Sequence, residues 1–62
     1  MNIRLDIIAF LKENKGTQFQ YNNIHTIIGG NYNENYLVLQ RLVRDRIVSK
    51  EHKGKNYYYF VK

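Results

Sequence analysis

The stretch from Lys50 to Val61, KEHKGKNYYYFV, sets the chain's densest run of positive charge beside four consecutive aromatic residues. Three chemistries suit such a stretch: rings that stack on nucleic-acid bases, a hairpin that closes a hydrophobic core, or an adhesive patch for another protein. Catalysis suits it poorly. The chain has no cysteine and no Gly-rich phosphate loop, and Ser49 is its only serine, so no Ser–His–Asp set is expected. His52 stands beside Glu51, yet neighbouring residues of a strand face opposite ways. His25 and His52 leave a metal site two ligands short. The expectation is a protein that is not an enzyme and carries no cofactor and no metal.

The alternation of strand residues also limits the stacking chemistry. Four rings in a row cannot form one platform, because consecutive side chains point to opposite sides. At most Tyr58 and Phe60 share an outer face, and a single-strand binder needs such a pair in a basic groove. Binding to RNA or to non-B-form DNA therefore stays open only as a lesser alternative.

The net charge is +5, and its distribution is uneven. Residues 1–31 carry Arg4, Lys12 and Lys15 against Asp6 and Glu13. Residues 32–62 carry Arg41, Arg44, Arg46, Lys50, Lys53, Lys55 and Lys62 against Glu34, Asp45 and Glu51. A basic excess concentrated in the C-terminal half favours a polyanionic partner, nucleic acid before membrane, since no helix has a dense lysine face. The competing explanation is a solubilising surface.

At 62 residues the chain is one domain, expected to bury about 60% of its unfolded surface. Without disulfides, its stability must come from a well-packed core or from a homodimer. Hydrophobic residues make up 44%, including six tyrosines and three phenylalanines, which fits both. No apolar run approaches the roughly 18 residues of a membrane span. The N-terminal MNIRLDIIAFLKEN interrupts its apolar run with Asp6 and lacks a small-residue cleavage site, so no signal peptide is read and the expected location is the cytoplasm. Met1 is taken as the start of a complete chain. Eight asparagines, many isoleucines, lysines and tyrosines, and no proline suggest an AT-rich bacterial, phage or plasmid genome.

The elements that position these residues follow from periodicity. In NIRLDIIAFLKENKG, Ile3, Ile7, Phe10 and Leu11 mark one helical face, with Ile8 widening it, Asn2 as N-cap and Gly16 past the end. TQFQYNN reads as a short edge strand or extended linker with Phe19 and Tyr21 inward. NNIHTIIGG predicts a short helix capped by Asn22 or Asn23, with Ile24, Ile27 and Ile28 inward and His25 on the solvated side. NYNENYLVLQRLVRDRIV predicts a helix over 31–46. Asn31 and Glu34 resemble a capping box, with Asn33 as the competing cap, and Tyr36, Leu39, Leu42, Val43 and Arg46 mark one face. Finally, IVSKEH and YYYFVK read as two strands about the turn KGKN.

This order of elements in LDIIAFLKENKG, YNNIHTIIGG, LQRLVRDRIVSKE and GKNYYYFV resembles the winged helix-turn-helix fold over nearly the whole chain. The implied class is α+β: three helices, a C-terminal β-hairpin wing and a short edge strand. Arg46 departs from the pattern, because many members have glycine at that helix-to-strand corner. By the resemblance, Tyr57, Tyr59 and Val61 face the core and Tyr58 and Phe60 face outward.

The resemblance implies a sequence-specific duplex DNA-binding protein, with helix 31–46 in the major groove and wing 50–56 on the backbone. Tyr32, Asn33, Glu34, Leu37, Gln40, Arg41 and Arg44 are the helix residues so assigned, and Lys50, His52, Lys53, Lys55 and Asn56 are those of the wing. Arginine suits guanine, asparagine and glutamine suit adenine, and lysine suits phosphate. Such a domain is expected to act as a homodimer, with Leu5, Tyr58 and Phe60 as the dimer contact, repressing transcription by occlusion. The alternative is a protein-docking winged helix, such as a phage-encoded inhibitor of a host protein, with Leu37, Arg41 and Arg44 at its centre. A leucine flanked by arginines on an exposed helix face fits that role too.

Overall fold

A computed structural model describes residues 2–62. Three helices come first: α1 (Ile3–Glu13), α2 (Tyr21–Ile28) and α3 (Tyr32–Arg44). A two-stranded antiparallel hairpin follows, β1 (Ser49–Lys53) and β2 (Asn56–Phe60). The fold is therefore α+β. No described helix is long and apolar enough to cross a membrane.

Local chemistry accounts for the helix limits. Asn2 caps α1 by accepting from the Leu5 amide at 3.1 Å, and Asn31 caps α3 by accepting from the Glu34 amide at 2.9 Å. Each cap satisfies an amide that has no partner inside its helix. α2 starts earlier than expected. Its N-cap is Gln20, which makes no side-chain cap bond, so neither Asn22 nor Asn23 caps it. The extra turn brings Tyr21 onto the inner face beside Ile24 and Ile28. At 100° per residue the buried stripe then centres away from Ile27, which is exposed rather than inward.

α3 ends at Arg44, two residues short of the expected limit, in a Schellman turn. The Arg46 amide donates to the Val43 carbonyl and the Ile47 amide to the Leu42 carbonyl, both at 3.0 Å. Arg46 occupies the left-handed position with φ 63°, where glycine is the usual residue, and is exposed rather than on the inner face. The corner forms without glycine because Ile47 and Val48 are drawn back onto the core, the Val48 amide also donating to Leu42 at 3.2 Å.

The core is Ile7, Leu11, Tyr21, Ile24, Leu39, Leu42, Val48 and Tyr59. All three helices and the base of the hairpin contribute, and each fully buried aliphatic side chain stabilises the fold by about 1.5–3 kcal/mol. Phe10 and Phe19 pack ring to ring, with centroids 4.9 Å apart. The expected edge strand contracts to one bridge: Phe19 and Tyr59 exchange both backbone hydrogen bonds, at 2.9 and 2.7 Å. The Gly16 amide donates to Val61 at 2.9 Å, which fastens the end of the chain to the end of α1.

The hairpin register pairs Lys50 with Tyr59, His52 with Tyr57, Glu51 with Tyr58, Ser49 with Phe60 and Lys53 with Asn56. Directly paired residues share a face. The front face, toward the helices, carries Lys50, His52, Tyr57 and Tyr59. The rear carries Ser49, Glu51, Lys53, Asn56, Tyr58 and Phe60. Tyr59 is buried as expected, but Tyr57 is 47% exposed and Val61 only half-buried. Burial fades toward the turn because the ribbon extends past the helices. Tyr58 and Phe60, expected outward, are half-buried.

Candidate nucleic-acid interface

The exposed side of α3 holds most of the residues that the sequence singles out. Asn33, Glu34, Leu37, Gln40, Arg41 and Arg44 fall within an arc of about 120°. All but Gln40 are exposed. Leu42, Leu39 and Asn35 occupy the opposite, buried arc. Asp45 lies 3.5 Å from Arg44 Nε and does not pair with Arg41. At the surface this ion pair contributes little. Arg41 has no carboxylate partner among the described residues.

Gln40 serves a different purpose. Its Nε2 donates to the Tyr59 hydroxyl at 2.9 Å, and its Oε1 accepts from Lys50 Nζ at 3.3 Å. The amide expected to face a base instead ties α3 to the front of the hairpin. Lys50 is held by the same bracket, with its ammonium 4.5 Å from the Tyr57 ring centroid and 5.8 Å from that of Tyr59. His52 stacks on Tyr57 with centroids 4.4 Å apart and planes 16° from parallel. Lys50 thus stands beside α3, and His52 lies farther along the same face of the hairpin, toward its turn.

Lys53 points the other way. On the rear face it donates to Gln18 Oε1 at 2.7 Å and lies 3.9 Å from Glu51, which accepts from Gln18 Nε2 at 3.1 Å. A lysine so engaged is less free to meet a phosphate. Lys55 sits at the tip between the strands, next to the left-handed Gly54 (φ 61°), and Asn56 begins β2. Tyr58 shares the rear face beneath Lys53, whose ammonium is 5.6 Å from its ring. Leu5 is exposed on α1.

Between α3 and the hairpin runs a cleft of about 250 Å³. Tyr21, Tyr32, Tyr36, Tyr57 and Tyr59 line it, with Lys55 and Asn56 at its tip side and Asn22 at its base. Its inner wall is fixed. The Tyr21 hydroxyl donates to the Tyr32 carbonyl, and the Tyr32 hydroxyl donates to Asn22 Oδ1 at 3.0 Å. Burial, followed by the neighbouring Tyr32, pushes the Tyr21 phenol above its ordinary value, so it keeps the proton that it donates. Tyr36 meets Tyr21 edge to face at 5.2 Å and stays 41% exposed, although its spacing places it on the inner face. Tyr32 likewise packs edge-on against Tyr21.

Two residues behind the cleft carry a role that their spacing did not reveal. Asn35 is buried. Its Nδ2 donates to the Gly29 carbonyl and lies 3.2 Å from His25 Nδ1. Its Oδ1 has no partner among the described residues. His25 is therefore not on a solvated side. It is half-buried, edge-on to Tyr32 with centroids 5.1 Å apart. Together the two residues hold the Gly29–Gly30 turn that sets α2 against α3. Asn35 stands four residues before Leu39 and seven before Leu42, and that place on the buried stripe was the available signal.

Comparison with family models, with curated proteins and with solved structures finds no match for this chain.

Proposed function

We propose that this protein is a winged helix-turn-helix module that binds duplex DNA, with α3 entering the major groove and the hairpin lying along the backbone. One observation carries the reading. The exposed arc of α3 bears Asn33, Arg41 and Arg44, and Gln40 at its edge is tied to the hairpin, whose front and tip bear Lys50, His52 and Lys55. Base-reading side chains on a helix with phosphate-binding cations alongside is the division of labour that groove recognition needs. Glu34 accepts from cytosine N4 and Leu37 meets a thymine methyl in this arrangement. A single module of this size buries limited surface on DNA, so a homodimer on two half-sites is part of the proposal, with Leu5, Tyr58 and Phe60 as its contact. The simplest regulatory outcome is repression by occlusion.

Leu37 favours a second reading. It is 56% exposed at the centre of the arc, with Arg41 and Arg44 beside it, which suits a protein-docking hot spot. Selection from random duplexes at two salt concentrations separates the two. A palindromic motif retained at the higher salt supports the DNA reading. Retention that disappears with salt and enriches nothing overturns it, and docking through Leu37 then stands.

A further inference from the structure

The cleft between α3 and the hairpin has a composition that groove binding does not use. Its exposed rings are Tyr32, Tyr36 and Tyr57, of which Tyr36 and Tyr57 belong to neither the base-reading arc nor the phosphate-binding cations. Both are held in place. Tyr36 is set edge-on against Tyr21, and Tyr57 is clamped by His52 and by the Lys50 ammonium. A flat group entering the cleft meets Tyr36 on the helix side and Tyr57 on the hairpin side. Asn22 and Asn56 offer amides to its polar edge, and Lys55 offers a cation to an attached anion.

The size fits one ring system. Pockets for drug-sized ligands occupy about 300–1,000 Å³, and a cleft of about 250 Å³ falls below that range. Fixed tyrosine rings, amides for an edge and a cation at the rim together describe a nucleobase with its phosphate. The Tyr21 hydroxyl brings no negative charge to the cleft, since burial favours its protonated form.

We propose that the cleft binds one unpaired nucleobase, extruded from the duplex or lying at a single-strand junction, while α3 holds the adjoining duplex. The inference rests on the DNA reading and adds a preference within it: duplex carrying an unpaired base over continuous duplex. Extruding a paired base costs a few kcal/mol in general, so a base already unpaired is favoured.

The test compares three short duplexes of one sequence: fully paired, with a single bulged 2-aminopurine, and with an abasic bulge. The bulged base is expected to bind about tenfold more tightly than either control, which is the effect one base–aromatic stack supplies. The 2-aminopurine emission is expected to fall on binding. Tyr57→Ala and Tyr36→Leu are expected to bring the ratio of bulged to paired affinity to about one, the leucine keeping apolar bulk against Tyr21. Equal affinity for all three duplexes overturns the inference and leaves the DNA reading standing. Equal affinity for the two bulges also overturns it, since easier bending then explains the gain. Binding to none of the three overturns the DNA reading, and the inference falls with it.

Discussion

The two faces of the hairpin have similar composition and different standing. Each carries aromatic rings and at least one lysine. On the front, Tyr59 is buried in the core, Tyr57 stays exposed, and the Lys50 ammonium sits over both rings beside α3. On the rear, Lys53 is engaged with Gln18 and Glu51, and Tyr58 and Phe60 are half-buried. Four aromatic residues in a row are thus two pairs with different tasks. One front ring holds the hairpin to the protein and the other extends the exposed surface. The rear pair lies beneath a small polar network. Composition alone does not show how each lysine is engaged: Lys50 meets an amide of α3 and two rings, whereas Lys53 meets an amide and a carboxylate that offsets its charge.

Substitutions sharpen this contrast. The largest effect is expected at the root of the front face. Tyr59→Ala removes a ring at 2% exposure and the hydroxyl that Gln40 binds, for a loss of about 3–5 kcal/mol in urea unfolding. In so small a domain that abolishes most of the stability. Tyr58→Ala, on the rear, is expected to cost less than half as much in the same measurement. Asn35→Ala, behind the α2–α3 turn, is expected to cost about 1–3 kcal/mol, because it leaves the half-buried Gly29 carbonyl without the donor that Asn35 supplies.

Binding separates the faces further. Arg41→Ala is expected to weaken DNA affinity by about 1–3 kcal/mol and to relax base preference, as read by titration against matched and mismatched duplexes. Lys55→Ala is expected to reduce the slope of log affinity against log salt by about 0.9, the value for one phosphate contact. Lys53→Ala is expected to change that slope less, because Glu51 and Gln18 already hold its ammonium. If Lys53 proves the stronger contributor, the front and rear assignments are reversed.

Helices α1 and α3 were legible because periodicity and caps agree in them. Asn2 and Asn31 cap where their positions indicate, and Ile7, Leu11, Leu39 and Leu42 are buried on the expected stripes. α2 was less legible. Its first turn lacks a capping side chain, so Tyr21 read as extended chain, and including it rotates the buried stripe away from Ile27. The choice of the Tyr59 side as the buried one came from the resemblance to the winged helix, whereas strand alternation indicated only the two sides of the hairpin. It carried no information on how far the ribbon reaches beyond the helices, which is why Tyr57 is exposed. The bonds that occupy Gln40 and Lys53 join residues 10 to 35 positions apart. No local pattern encodes such pairings, so the same residue types that suggested the interface did not reveal which of them are already engaged.

The most direct test of the central claim is an amide chemical-shift titration of the labelled protein with duplex DNA at moderate salt. If α3 and the front of the hairpin meet DNA together, perturbations fall on Asn33, Glu34, Leu37, Arg41 and Arg44 of α3 and on Lys50, His52 and Lys55 of the hairpin. They should saturate together and weaken as salt is raised. Perturbations centred on the rear of the hairpin, or none on α3 at any salt, would contradict it.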